Sequence, residues 1–334
     1  MQITSESLNQ YAESTVNRVT SENRNIIVAY MVGSVVMESN PLLGGTTDID
    51  LVFIHSGDPP VEREIQALSD EVHLDVTHHP QKKYTPGREL RTHPWMGPTI
   101  FNAKILFDPR HFMDFVQAAV RGLFYRADYV IQRTQPLIEE ARGIWFDLQT
   151  ERPDPGPEVV SRYLRALDHA GNAIAGLSGP PLAERRFLLQ FLDRAEAINQ
   201  PGLYAGLLGL LGGPRVDGKV LTDQLPAWEA ALDALPRDET PPGLHADRRA
   251  YYLKAFEAIL GSGQPLNILW PLLTTWTLAA QALPPEHPAI EGWGETCSQL
   301  GLQGDDFYER VTALDAFLDT VETTMENWAT EQGV

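Results

Sequence analysis

Asp48-Ile49-Asp50 stands at the start of an apolar run, residues 48–55. In an extended chain, side chains two positions apart point to the same face. The two carboxylates therefore share one face, and Ile49, Leu51 and Phe53 share the other. Adjacent carboxylates repel each other unless positive charge lies between them. A hard divalent cation supplies it, and Mg²⁺ favours one or two carboxylates together with phosphate oxygens. A second apolar run, residues 72–79, carries Asp75 on the face of His73 and Thr77. Paired beside the first run, it would complete a cluster of three acids. Upstream, the run 26–32 ends in Gly33-Ser34. Glycine permits close backbone approach, and a serine hydroxyl with the N–H groups of a helix start can hold a phosphate. The spacing thus points to metal-assisted phosphate chemistry. Taken singly, each feature also reads as an ordinary strand end, edge charge or turn.

Other residues are candidates for supporting roles. Lys82, Lys83, Arg88 and Arg91 follow the Asp75 run closely. They form either a solvated loop or a cluster that neutralises a triphosphate and its leaving pyrophosphate. Lys104 opens a short apolar run, 104–107, as a phosphate contact or a structural salt bridge. Arg162, Arg165, Asp168, His169 and Asn172 recur at helical spacing. They read as a solvated face, or as a stripe closing a cleft from a second domain. His78-His79 is an exposed pair or a transition-metal pair. Trp270, Trp276 and Trp293 read as core, and Tyr251-Tyr252 as packing or pocket lining.

These residues need elements to position them. Before residue 110 the pattern alternates: a helix over 4–22, strands over 26–32, 48–55, 72–79 and 103–109, and a short helix over 62–72. Strands mixed with helices predict a small α/β or α+β domain. Beyond residue 112 the periodicity is helical, over 114–122, 127–148, 159–177, 182–199, 225–235, 247–260, 266–283 and 305–328. Proline-rich breaks at 152–157, 178–181, 237–243 and 284–288 separate them, because proline fixes φ and lacks a donor. About two hundred residues of helix, in one or two bundles, are expected.

Composition bounds the function. The chain has 334 residues, 43% of them apolar, enough for a large core and about two domains. Twenty-six basic residues against 45 acidic give a net charge of −19. Residues 1–110 hold 9 basic and 14 acidic residues, net −5, and the remainder carries −14. Such a surface repels a phosphate backbone, so extended nucleic-acid binding is not expected. The lone Cys297 leaves no intrachain disulfide and no cysteine-based zinc site. Neither a secretory leader nor a span of about 20 apolar residues is seen, so a cytoplasmic protein without membrane contact is expected.

The order of these features resembles the polymerase-β-like nucleotidyltransferase superfamily. Gly33-Ser34, thirteen intervening residues (35–47), Asp48-Ile49-Asp50-Leu51 and a later acid on a neighbouring strand match its signature. Thr46–Leu51, TTDIDL, is close to the usual "SDIDL" stretch. Leu74–Thr77, LDVT, is similar to the "LEVT" of aminoglycoside adenylyltransferases, with aspartate in place of glutamate. The likeness covers about the first 110 residues. It implies an α+β fold: a polymerase-β-like domain over 1–110, a small mixed sheet with flanking helices, followed by an all-α substrate-binding domain over 111–334. It also implies transfer of a nucleoside monophosphate, with Mg²⁺ as cofactor and ATP or another nucleoside triphosphate as co-substrate. Asp48 and Asp50 would hold Mg²⁺, and Asp75 would be a further metal ligand or the general base. Gly33 and Ser34 would hold the triphosphate, with Lys82, Arg88 and Lys104 as further donor contacts. The acceptor would be a small hydroxyl compound, such as an aminoglycoside. A protein or tRNA acceptor, or a catalytically silent nucleotide-binding module, are the alternatives.

Overall fold

In the computed structural model, which describes residues 3–37, 41–236 and 240–334, a five-stranded mixed sheet with flanking helices is followed by a helical region. The strands are β1 (Ile26–Val32), β2 (Thr47–His55), β3 (Arg63–Ala67), β4 (Val72–Pro80) and β5 (Lys104–Phe107), in the order β3-β4-β2-β1-β5. The β2–β4 pair is parallel and the other pairs are antiparallel. Strand alternation gives the sheet two apolar faces. Ala29, Met31, Ile49, Leu51, Phe53, Leu74 and Val76 meet Leu8, Ala12 and Val16 of the helix Ser5–Glu22. Val28, Tyr30, Val52 and Ile54 meet Tyr84, Ile100, Met113 and Val116 on the opposite side.

The segment expected as a short helix over 62–72 is instead the edge strand β3. Its composition suits a helix, but the free edge of β4 offers a row of backbone partners, and tertiary pairing overrides weak local preference. Its exposed side chains Arg63, Glu64 and Gln66 suit an edge that must resist further pairing.

From Phe112 onward the described elements are all helical. Ala127–Glu151 and Pro157–Ser178 form a hairpin, and Gly304–Glu331 packs across it. One continuous apolar core runs from Val130 to Met325 and takes in Trp270, Trp276 and Trp293 as expected. Three helices lay outside the sequence reading: Met96–Asn102, Gly202–Leu210 and Glu291–Leu300. All three contain glycine or proline inside the turn pattern, which hides the period. Residues 237–239, the start of one proline-rich break, lie outside the described residues. Among the described residues no helix is long and apolar enough to cross a membrane.

The two regions meet at the start of β2. Gly44 (φ +62°) lets the β1–β2 loop lie against the helix Arg249–Leu260, where an added Cβ would sit 2.0 Å from the Lys254 carbonyl oxygen. Arg185 Nη1 donates to Thr46 Oγ1 and to the Tyr251 carbonyl, both at 2.9 Å. Lys254 pairs with Glu71 at 3.2 Å.

Candidate metal and phosphate site

β2 and β4 run side by side in a register that sets Asp48 opposite His73 and Asp50 opposite Asp75. One oxygen from each of Asp48, Asp50 and Asp75 lies within 4.8 Å of the others. Their apolar neighbours Ile49, Leu51, Leu74 and Val76 point into the core, so the pleat turns all three acids to one side. Val32 at the end of β1 pairs with Asp50 and delivers the Gly33-Ser34 turn onto its carboxylate. Gly33 has φ +76°, and an added Cβ would fall 1.9 Å from Asp50 Oδ2. No other residue type fits there, on both conformation and space. Ser34 Oγ faces Thr47 Oγ1 at 3.4 Å.

Two arginines beyond the sequence reading reach this cluster. Arg63 of β3 grips Asp75 with both nitrogens of its fork, Nε to Oδ1 at 2.8 Å and Nη2 to Oδ2 at 2.5 Å. Arg248, 200 positions from Asp48 in the chain, donates from Nη2 to Asp48 Oδ2 at 2.5 Å and lies 3.5 Å from Asp75 Oδ2. The Tyr251 ring lies near both Arg185 and Arg248, whose guanidinium carbons are 3.1 Å and 5.0 Å from its centre. Spacing gave no signal for either arginine, because both contacts are set by tertiary packing.

Among the described residues no arginine or lysine comes within ion-pair range of Asp50. Burial, then the charges of Asp48 and Asp75, push its carboxyl up to about 8. Asp48 Oδ1 is buried without a hydrogen-bond partner, 3.9 Å from His73 Nδ1. Burial lowers the pKa of His73, which favours its neutral form. An orphaned buried carboxylate oxygen beside an under-neutralised carboxyl is a donor set that fits a hard divalent cation. Further from the sheet, Tyr252 donates to Glu184 at 2.9 Å. Burial raises the pKa of Glu184. Burial and then the charge of Glu184 raise Asp168 to about 7.

A cavity of about 340 Å³ opens beside Asp50. Gly33 and Ser34 line it from the sheet, Trp95 from the start of the helix Met96–Asn102, and Arg186, Gln190 and Arg194 from the helical region. The basic residues expected at the phosphates are not among its walls. β4 carries the chain about 16 Å from Asp75 to the far end of the sheet before Lys82 appears. There Lys82 is exposed and pairs with Asp58 at 2.6 Å, Lys83 meets His79, and Arg88 is exposed. Arg91 is spent on the Ala119 carbonyl. Lys104 sits opposite Met31, whose side chain faces the helix Ser5–Glu22, and accordingly reaches Asn9 and Glu13 on the wrong side of the sheet.

The remaining candidates divide. Arg162 and Arg165 pair with acids of the helix Ala127–Glu151, as a solvated face would. His169 packs at a tilt against Trp95, with ring centroids 6.0 Å apart, and Asn172 donates to Asp168. The histidines do not pair with each other: His78 meets His55 at 2.9 Å, and His79 meets Tyr84 at 2.6 Å, with burial lowering His79 to about 4.

No family model matches this chain, and no curated protein matches it. Among solved structures, it is similar to a nucleotidyltransferase-like protein from Exiguobacterium sibiricum. The identity is 10%, the match covers 93% of this chain and 89% of that one, and the TM-score is 0.27.

Proposed function

We propose that this chain is a divalent-metal-dependent nucleotidyltransferase that moves AMP from ATP onto a hydroxyl of a small cationic acceptor of the aminoglycoside kind. The observation that carries the reading is the convergence of Asp48, Asp50 and Asp75 against the Gly33 turn at the mouth of a cavity. The division at 110/111 into donor and acceptor parts belongs to the same proposal.

Asp48, through Oδ1, and Asp50 would hold Mg²⁺, with Asp75 as the third carboxylate. When bound, Mg²⁺ neutralises phosphate charge and so lowers repulsion toward the incoming oxygen. Gly33 lets the turn close onto the Asp50 carboxylate, and Ser34 would offer its hydroxyl to the donor's phosphates. Phosphoryl transfer needs positioning and charge neutralisation more than covalent help. The acceptor oxygen forms a bond to the α-phosphorus, the bond to the bridging oxygen breaks, and pyrophosphate leaves. The acceptor's proton passes to a carboxylate within reach and then to solvent. Arg63 fixes the orientation of Asp75 by occupying both its oxygens, so Asp75 serves first to position. The acidity of the helical region, net −14 over residues 111–334, favours a cationic acceptor.

Arg63 and Arg248 already neutralise two of the three acids, and this favours a second reading, a catalytically silent nucleotide-binding module. Incubation with α-labelled ATP, Mg²⁺ and separate pools of aminoglycosides, proteins and tRNA decides between them. Label is expected on the small-molecule pool, dependent on Mg²⁺ and lost in Asp48→Ala and Asp50→Ala. Label on the protein or tRNA pool would reassign the acceptor. Metal-dependent nucleotide binding without turnover on any pool would establish the silent module.

A further inference from the structure

We infer that Arg248 takes the seat of a second cation, so that the acidic cluster holds one divalent ion, on Asp48 Oδ1 and Asp50, and not two. The inference deepens the metal-dependent reading above and rests on it.

Each ionised carboxylate offers two acceptor oxygens, and the structure divides those of the cluster into two sets. Arg63 occupies both oxygens of Asp75. Arg248 Nη2 donates to Asp48 Oδ2 at 2.5 Å and lies 3.5 Å from Asp75 Oδ2, so one guanidinium bridges two acids. A cation shared between neighbouring carboxylates relieves their repulsion, which is the work a second divalent ion would do at that place. The guanidiniums leave over Asp48 Oδ1, buried and without a hydrogen-bond partner, and the carboxylate of Asp50, which no arginine or lysine reaches among the described residues. Asp50 is also the acid of the three that lines the cavity. An ion entering from the cavity meets it first, whereas Asp75 lies behind two arginines.

Arg248 is no loose counter-ion. It ends the short turn Ala246–Arg248, and its side chain is 7% exposed. The ring centres of Tyr251 and Tyr252 lie 5.0 Å and 6.0 Å from its guanidinium carbon. Asp247 beside it accepts from the Ala67 backbone N–H at 3.3 Å and ties the turn to the end of β3. Arg248 Nε is buried without a hydrogen-bond partner, so the bonds to the acids are what compensates this charge. A guanidinium cannot shed its proton to escape burial. An ion on Asp48 Oδ2 and Asp75 Oδ2 would leave it buried and unpaired, which is strongly unfavourable. With one divalent ion, the three carboxylates and two guanidiniums sum to +1, a balance that already attracts phosphate without a second ion.

Mn²⁺ titrated into the metal-free full chain at pH 8, without nucleotide, tests the count, because the electron paramagnetic resonance signal of free Mn²⁺ is lost on binding. One ion per chain is expected for the wild type. Arg248→Ala opens the second seat and should bind two. Guanidinium chloride at millimolar concentration should then expel the second ion and leave the first, and sodium chloride at the same concentration should not. Arg248→Met keeps most of the side-chain volume and should also take two ions, which serves where alanine does not fold. Two ions in the wild type overturn the inference and leave the nucleotidyltransferase reading standing. A single ion in the wild type and in the Arg248 variants also overturns it. A wild type that binds no ion overturns both the inference and the metal-dependent reading. One ion in the wild type and two in the variants, with no label transferred from ATP, supports the inference and makes the silent module the function.

Discussion

Arg248→Met keeps most of the side-chain volume and removes the charge that closes the acidic cluster from the helical side. In the native chain three carboxylates face two guanidiniums, net −1 with Asp50 ionised and zero with it protonated. The variant shifts each value by −1. Asp75 retains Arg63, so the loss falls on Asp48, whose side chain is only 5% exposed. Removing one partner of a buried ion pair costs about 3–5 kcal/mol, because the remaining charge is left uncompensated. That cost is expected in urea denaturation at pH 8 in EDTA, where the cluster is most negative. It should shrink at pH 5.5, where Asp50 holds its proton. Magnesium should recover much of it: a ligand at one hundred times its dissociation constant stabilises by about 2.7 kcal/mol. The wild type should gain less from magnesium, since Arg248 already engages Asp48 and lies near Asp75. The reasoning is refuted if Arg248→Met matches wild type in EDTA at pH 8, or if magnesium stabilises both by the same amount.

Further outcomes follow from other contacts. The folded-state pKa of Asp50, about 8, lies above its ordinary value of 3.8, so between these values the folded chain holds a proton that the unfolded chain has released. In EDTA this contribution to stability is complete below about pH 4 and is lost as pH rises through 8. Asp50→Asn should flatten that part of a denaturation series across pH, and an unchanged slope would mean that Asp50 is ionised in the fold. Gly33→Ala should cost about 1 kcal/mol or more in stability from its positive φ, and abolish transfer by displacing the Asp50 carboxylate; calorimetry and the labelled-ATP assay read the two effects. Asp75→Asn should reduce the transfer rate more than nucleotide affinity, whereas a loss confined to affinity would assign Asp75 to metal binding alone. Arg142 joins Asp315, Asp319 and Glu322 across two helices. Its replacement by alanine should cost about 1 kcal/mol at low salt and little in ~1 M salt, where screening quenches the repulsion left among the acids.

Much of the sheet was legible because strand periodicity is a local property. β1 has the bounds read from Ile26–Val32, and β2 and β4 differ from their expected limits by one residue each. The convergence of the three acids followed from the same parity, given only that the two strands pair. What escaped was governed by partners distant in sequence. Glu64-Ile65-Gln66 becomes a strand because β4 has an edge to fill, and Arg63 reaches Asp75 only once it does. Arg248 meets Asp48 through the packing of a whole helical region. The lysines failed for simpler reasons of geometry. Lys82 follows a nine-residue strand that ends far from where it began, and Lys104 lies one pleat out of phase with the site.

Trp95 borders the cavity beside Asp50, whereas Trp228, Trp270, Trp276 and Trp293 are sealed within the helical core. Trp145 and Trp328 pack against the same core, so filling the cavity alters the surroundings of one indole and leaves the six others as an internal standard. The chain carries its own optical gauge of occupancy, readable as a change in fluorescence without any attached dye.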